Sequence, residues 1–158
     1  MQIKTKKSLG QNFLIDRNIL ELITDVVEIK NKEILEIGPG SGNLTAHILK
    51  KEPKKLYVIE KDDNLSLLLS EKFENKIKII NDDVLQVSEK NISNEKLTVF
   101  GNLPYNISTE ILSRWIISLD KKFSYLITIP KKTFYTFKNN GKKKGFILNM
   151  IDKKYKTK

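Results

Sequence analysis

The chain is 158 residues long, and its content of 39% hydrophobic and 30% charged residues is typical of a soluble globular protein of one domain. It has no cysteine and a single histidine, His47, which excludes disulfides, cysteine nucleophiles and metal sites built from cysteine or clustered histidine. No segment reaches the roughly 18 apolar residues of a membrane span, and the basic N-terminus precedes no signal-like apolar run. We therefore expect a cytoplasmic protein that binds neither a metal nor a membrane.

The net charge of +10 is unevenly distributed along the chain. Residues 130–158 contain ten lysines and one acidic residue, whereas residues 1–129 are nearly neutral, with 19 basic and 18 acidic side chains. We therefore divide the chain into a core, residues 1–129, and a lysine-rich tail, residues 130–158. Such a tail is typical either of contact with nucleic-acid phosphates or of a solvated terminus, and charge alone does not decide between them.

In chain order, helical and strand-like patterns alternate through the core. Helical spacing of apolar residues predicts four helices. The first would be capped by Asp16 and end at about Val27, and the others are Leu44–Lys51, Asp63–Phe73 and Thr109–Ser118. Short apolar runs predict five strands, at Ile34–Ile37, Leu56–Glu60, Ile77–Ile80, Leu97–Phe100 and Phe123–Ile129. Strands that alternate with helices in this way predict an α/β fold with a parallel sheet and crossover helices.

A glycine-rich turn, Gly38-Pro39-Gly40-Ser41-Gly42, follows the first predicted strand. Glycines let a backbone approach a ligand closely, but the spacing differs from the G-x-G-x-x-G of dinucleotide-binding turns. Pro39 also lacks an N–H that could bind a phosphate. The turn therefore favours a ligand without a pyrophosphate, such as S-adenosylmethionine, with a plain tight turn as the alternative.

Carboxylates follow the next two predicted strands. Glu60 ends the second strand, where it could accept two hydrogen bonds from a ribose diol or form a surface pair with Lys61. Asp83 follows the third strand, where it could accept from an adenine amino group, although its neighbour Asp82 is an equal candidate. Because ligands of open parallel sheets bind beyond the carboxyl ends of the strands, these positions together predict a nucleoside site.

The tetrapeptide Asn102-Leu103-Pro104-Tyr105 follows the fourth predicted strand. The amide oxygen of Asn102 and the carbonyl of Leu103 can accept hydrogen bonds from an exocyclic amino group. Pro104 stiffens the turn, and the ring of Tyr105 offers a surface on which a base can stack. Together with the glycine-rich turn, the tetrapeptide predicts methyl transfer to an amino nitrogen of a base.

Five segments occur in the order and spacing of one known family. They are Ser8–Leu14, Glu36–Gly42, Val58–Glu60, Asp83–Leu85 and Gly101–Ser108. On these segments, the chain resembles the ribosomal RNA adenine dimethyltransferases, a family that includes small-subunit rRNA dimethylases and macrolide-resistance rRNA methylases. The long form of the last segment is more similar to the small-subunit enzymes.

The resemblance implies the Rossmann-like fold of S-adenosylmethionine-dependent methyltransferases, with a mostly parallel sheet and helices on both faces. It also implies six cofactor-binding residues, which are Asn12, Leu14, Gly38, Glu60, Asp83 and Asn102. The first two would close over the methionine end of S-adenosylmethionine, and Gly38 would approach it. Glu60 would hold the ribose, Asp83 the adenine, and Asn102 would touch both the cofactor and the target amine.

The implied reaction is N6-dimethylation of adenines in small-subunit ribosomal RNA, with a role in ribosome biogenesis. The implied partner is ribosomal RNA or the assembling small subunit, and the implied catalytic residues are Asn102, Leu103, Pro104 and Tyr105. Hydrogen bonds from the amine to Asn102 and the Leu103 carbonyl would favour a more tetrahedral nitrogen, while Tyr105 holds the unstacked base. Catalysis would rest on positioning and electrostatics, without a metal or a strong base.

The resemblance stops near Thr128, at the point where the charge changes. Small-subunit members of the family are longer, with further strands and a helical C-terminal domain, so the last strands of the sheet would be missing here. The tail is then either an out-of-frame or truncated ending or the natural end of a minimal form. The alternative function is a non-catalytic RNA-binding relative or remnant that keeps the cofactor fold. A DNA adenine methylase or a nicotinamide dehydrogenase fits the motifs less well.

Overall fold

The computed structural model describes residues 16–88, 91–103, 110–111 and 123–128. Within these residues, five strands form one sheet in which every neighbouring pair is parallel. The strands are β1 (Glu33–Ile37), β2 (Lys55–Ile59), β3 (Lys78–Ile80), β4 (Leu97–Gly101) and β5 (Phe123–Thr128). The helices are α1 (Arg17–Thr24), α2 (Asn43–Lys50) and α3 (Asp63–Phe73), the last followed by a 3₁₀ turn at Glu74–Lys76. The predicted α/β fold with a parallel sheet is confirmed.

The sheet has the order β3-β2-β1-β4-β5, so the chain changes direction at β1. After β1 it adds two strands on one side and then returns to add β4 and β5 on the other. Open α/β sheets bind their ligands at such a switch point, beyond the carboxyl ends of the strands. The topology therefore places the expected ligand site beyond the carboxyl ends of β1 and β4.

The pairing register aligns the strand ends at this edge. Ile37, the last residue of β1, lies opposite Ile59 of β2 and Gly101 of β4, and Ile59 lies opposite Ile80 of β3. The residues that directly follow these four strands therefore lie at the same edge of the sheet. They are Gly38, Glu60, Asn81 and Asn102.

Side chains of the central strands are buried on both faces of the sheet: every residue of β1 and β4 is buried, and most of them are apolar. On one face, Ile34, Val58 and Phe100 form a core with residues of all three helices. On the other face, Leu35, Tyr57 and Val99 form a second core, to which Ile92, Leu103 and Ile111 contribute. Both faces are therefore covered, as the fold class requires.

Helix α1 is shorter than the predicted Asp16–Val27. Asp16 is the N-cap, as expected, and its side chain accepts from the Asn18 N–H at 3.0 Å. The helix nevertheless ends at Thr24, whose hydroxyl donates to the carbonyls of Leu20 and Glu21, both at 3.0 Å. Such back-bonding competes with continuation of the helix, so the prediction that it extends to Val27 is wrong.

The remaining predicted elements agree with the structure where it describes them. The bounds of α2, α3 and the five strands lie within two residues of the predicted ones. Of the predicted helix Thr109–Ser118, the structure describes Glu110 and Ile111, which are helical. The tail, residues 130–158, lies outside the described residues, and no helix in the described part is long and apolar enough to cross a membrane.

A buried carboxylate, Glu33, connects neighbouring elements at the edge of the sheet where the strands begin. Glu33 accepts hydrogen bonds from Ser93, from the Tyr57 hydroxyl at 3.3 Å and from the Lys55 ammonium at 3.3 Å. Burial acts to raise the pKa of Glu33, but these donors outweigh it and hold the pKa below its ordinary value. The cluster ties the connection before β4 to β1 and β2, at the edge opposite the strand ends.

Candidate functional site

The glycine-rich turn contains three residues in the left-handed region. Gly38, Gly40 and Gly42 have φ values of 65°, 58° and 77°, which other L-residues adopt only with strain. The Gly38 N–H donates to the Ile59 carbonyl at 2.9 Å and so extends the β1–β2 pairing by one residue. Gly38 is exposed, whereas Gly40 and Gly42 are buried. The backbone at Gly38 is therefore the part of the turn that a ligand can reach.

Glu60 fastens the glycine-rich turn to the end of β2. Its side chain is buried, with 7% of the residue exposed. One carboxylate oxygen accepts from the Gly40 N–H at 3.1 Å, and the other accepts from the Asp62 N–H at 3.0 Å. Glu60 is thus a buried hydrogen-bond acceptor at the end of β2. The Lys61 ammonium, which the sequence offered as an alternative partner for Glu60, pairs with Asp83. Since a carboxylate has about four acceptor positions, two remain for a diol.

Glu36 is a buried carboxyl group that the sequence reasoning did not single out. It is 2% exposed, and Oε2 accepts from the Thr45 hydroxyl of α2 at 2.6 Å. Burial, together with the negative charge of Glu60, raises the pKa of Glu36 to about 8. The available signal was one acidic residue inside the otherwise apolar run Ile34–Ile37. The group links β1 to the first turn of α2, directly beneath the glycine-rich turn.

Asp83 is the half-buried member of the Asp82–Asp83 pair. Its Oδ2 accepts from the Lys61 ammonium at 2.7 Å, and its Oδ1 accepts from the Leu85 N–H at 3.0 Å. Asp82 is exposed and accepts from the Asp83 N–H at 2.7 Å. Of the two candidates, Asp83 is the one that pairs with Lys61, the residue directly after Glu60.

Asn102 and Leu103 meet the glycine-rich turn. Asn102 is half-buried and Leu103 is buried, and a Cβ atom on Gly38 would come within 3.0 Å of the Leu103 Cδ2. The Leu103 side chain thus packs against the turn, while its backbone leads on from the end of β4. The start of the tetrapeptide and the glycine-rich turn are neighbours, as the parallel register of β1 and β4 predicts.

Four predicted site residues lie outside the described residues. They are Asn12, Leu14, Pro104 and Tyr105. The structure does bring together Gly38, Glu60 and the start of the tetrapeptide, with Asp83 one strand farther along the same edge. The arrangement offers two carboxylates and an amide as hydrogen-bond acceptors beside an accessible backbone. These acceptors suit hydroxyl and amino donors, as in a nucleoside, better than a pyrophosphate.

Comparison with known protein families shows which family the chain belongs to. Residues 2–145 match the model of the ribosomal RNA adenine dimethylases. The chain belongs to this family. The resemblance drawn from the motifs is therefore confirmed, and the family match continues beyond residue 129 to residue 145. Members of this family use S-adenosylmethionine as the methyl donor.

Two dimethylase relatives show how much of a family member the chain represents. Ribosomal RNA small subunit methyltransferase A of Pelagibacter ubique is 69% identical over 123 residues, which are 78% of this chain and 47% of the relative. The protein of the same name from Sulfurihydrogenibium is 38% identical over 170 residues, covering 98% of this chain and 64% of the relative. The chain thus spans about half to two thirds of the length of these relatives.

Solved structures confirm the Rossmann-like methyltransferase fold of this chain. The 23S rRNA methyltransferase ErmE is 25% identical with a TM-score of 0.65, over 82% of this chain and 53% of ErmE. A dimethyladenosine transferase from Plasmodium falciparum is 24% identical with a TM-score of 0.66, over 80% of this chain and 46% of that protein. The second likeness, at 24% identity, shows the fold alone.

Proposed function

We propose that this chain is the methyltransferase core of an enzyme that dimethylates N6 of adenines in small-subunit ribosomal RNA. The observation that carries the proposal is the contact between the glycine-rich turn and the start of the tetrapeptide, at Gly38 and Leu103. Membership of the dimethylase family supports the reaction, and the names of the two relatives support the small-subunit substrate. A role in ribosome biogenesis follows from that substrate, and the cytoplasm is the proposed location.

The proposed cofactor is S-adenosylmethionine, which supplies a methyl group activated by its sulfonium sulfur. The residues that would hold it are Asn12, Leu14, Gly38, Glu60, Asp83 and Asn102. The donor and acceptor set fits, because Glu60 and Asp83 are acceptors for hydroxyl and amino groups, and Gly38 leaves an exposed backbone between them. The Glu60 carboxylate would also keep the turn in shape through Gly40 and Asp62.

The proposed chemistry on the base uses acceptors and a stacking ring. The Asn102 amide and the Leu103 carbonyl would accept from the target amino group, orient its lone pair and favour a more tetrahedral nitrogen. Pro104 would hold this turn stiff, and Tyr105 would stack on the base after it leaves its helix. These residues would act by positioning and by electrostatic stabilisation of the developing positive charge on the nitrogen.

The proposed partner is ribosomal RNA, free or within the assembling small subunit. The lysine-rich tail, residues 130–158, would contact RNA phosphates, and residues 1–129 would carry the cofactor and the chemistry. The near-neutral charge of the core supports this division of roles.

Calorimetric titration with S-adenosylmethionine tests the cofactor site. We expect saturable binding by the wild-type chain and at least tenfold weaker binding by the Asn102→Ala and Glu60→Ala variants, about 1.4 kcal/mol or more. The matched control is Glu28→Gln, which removes an exposed charge paired with Lys32 at the opposite edge. Radiolabelled methyl transfer to small-subunit particles then tests the reaction. Binding by both site variants equal to that of the control would refute the assigned cofactor site.

The second candidate is a non-catalytic RNA-binding relative that keeps the cofactor fold. The observation that favours it is the uneven charge, because the ten lysines of residues 130–158 could contact RNA phosphates without any catalytic step. The two candidates differ in a simple way. A folded wild-type chain that binds ribosomal RNA but neither binds S-adenosylmethionine nor transfers its methyl group would establish the second candidate.

A further inference from the structure

Lys61 forms an ion pair with Asp83, the carboxylate proposed to bind the adenine of the cofactor. Its ammonium nitrogen lies 2.7 Å from Asp83 Oδ2, while the other oxygen of Asp83 accepts from the Leu85 N–H at 3.0 Å. The Lys61 side chain is 62% exposed and that of Asp83 is 28% exposed. Both oxygens of the carboxylate are thus already engaged by the chain itself.

Other nearby polar groups have their own partners. The side-chain amide of Asn81 donates to the Glu60 carbonyl at 3.3 Å and to Asp63 Oδ1 at 3.0 Å. The Asp82 carboxylate accepts from the backbone N–H of Asp83. Lys61 follows Glu60 directly, so the ion pair spans the ends of β2 and β3 where the ribose and adenine would bind.

An ammonium and an amino group compete for the same lone pairs. The ammonium is charged and forms the stronger hydrogen bond, so an adenine amino group reaches Asp83 only by displacing or sharing it. Because Lys61 is mostly exposed, its pair with Asp83 is weak, is screened by salt and can be displaced. A displaceable competitor lowers affinity without closing the site.

We propose that Lys61 tunes the affinity of this site for adenine nucleosides by competing for the Asp83 carboxylate. The inference rests on the proposed function, because it takes the adenine of the cofactor to bind at Asp83. It makes Lys61 an affinity-determining residue that the motifs do not include. This competition predicts that removing the Lys61 charge changes the affinity of the site, and that the affinity of the wild type depends on salt concentration.

The test uses S-adenosylhomocysteine as the probe, because it lacks the sulfonium charge and its binding is less sensitive to salt. We expect Lys61→Met to bind it about three- to tenfold more tightly than wild type at low salt, and Lys61→Arg to bind like wild type. Raising the salt concentration should tighten binding by the wild type, as the ion pair is screened, and should leave Lys61→Met unchanged.

The matched control is Lys30→Met, which removes an equally exposed lysine paired with Glu52 at 2.9 Å on the opposite edge. It should bind the probe like wild type at every salt concentration. Equal affinity of wild type and Lys61→Met, or weaker binding by Lys61→Met, overturns the role of Lys61. Failure of folded wild type, Lys61→Met and Lys30→Met alike to bind the probe overturns the proposed function as well.

Discussion

At the scale of single residues, Glu36 connects the stability of the fold to the candidate site. It is buried below the glycine-rich turn and accepts a hydrogen bond from the Thr45 hydroxyl. The negative charge of Glu60 contributes to the raised pKa of Glu36. Burial raises its pKa to about 8, so near neutral pH the folded chain keeps this carboxyl group largely protonated. A second negative charge beside Glu60 is thereby avoided in the folded protein.

This protonation predicts a pH dependence of stability. Between about pH 4.5 and 8, the folded chain holds a proton on Glu36 that the unfolded chain has released, so the free energy of unfolding should fall as pH rises. The contribution is at most about 1.4 kcal/mol per pH unit. Glu36→Gln should remove it, as measured by urea unfolding at pH 5.5 and 7.5.

The comparison of the two proteins isolates Glu36 from other titrating groups, since these are common to both. Glu33, whose pKa is lowered, contributes stability that is lost only below about pH 4.5, outside this window. Parallel pH profiles of wild type and Glu36→Gln would contradict the prediction.

At the scale of elements, α3 and β4 hold the glycine-rich turn from two sides. The Lys72 ammonium, near the end of α3, donates to the Ser41 carbonyl at 2.8 Å and lies 5.2 Å from the centre of the Phe73 ring. Leu103, after β4, packs against Gly38. The shape of the turn therefore depends on neighbouring elements as well as on its own glycines.

Gly42 is where this packing is tightest, and it predicts a costly substitution. A Cβ atom at Gly42 would lie 2.5 Å from a Phe73 ring carbon and 2.9 Å from Leu69, at a φ of 77°. Gly42→Ala should lower the free energy of unfolding by about 2–4 kcal/mol, from left-handed strain and overpacking together. Urea unfolding measures the loss.

A double-mutant cycle separates the two causes. Phe73→Leu makes room for the new methyl group, so the combined variant should be more stable than the sum of the single changes predicts. Strict additivity would mean that the contact with Phe73 is unimportant and that backbone strain, with the contact to Leu69, explains the loss.

The central strands were predictable from sequence because burial on both faces favours mostly apolar runs, as in β1, β2 and β4. The strand ends, and with them Glu60 and Asp83 as candidates, followed from those runs. Three features depend on particular hydrogen-bond partners and were not predicted from the sequence: the end of α1 at Thr24, the pairing of Lys61 with Asp83, and the burial of Glu36. Each is set by a partner from another turn or another element.

At the scale of the whole molecule, several lysines at one edge of the sheet form ion pairs with acidic residues. Five lysines in the connections before β1 and β2, or at the first residue of β2, form ion pairs with acidic residues there. The pairs are Lys30–Glu52, Lys32–Glu28, Lys51–Asp25, Lys54–Glu95 and Lys55–Glu33. Each of these five lysines has an acidic partner, so it should attract phosphates less than an unpaired lysine would.

The unbalanced charge of the chain lies instead in the tail, and this predicts where salt-dependent RNA binding originates. Replacing Lys142, Lys143 and Lys144 by glutamine should weaken binding to small-subunit RNA and make the slope of log affinity against log salt shallower by up to about 2. The control replaces Lys30, Lys32 and Lys51, which changes the net charge equally. Because those lysines are already paired, the control should keep the wild-type slope in a filter-binding titration. Equal losses in both triple variants would mean that RNA affinity follows net charge rather than the tail.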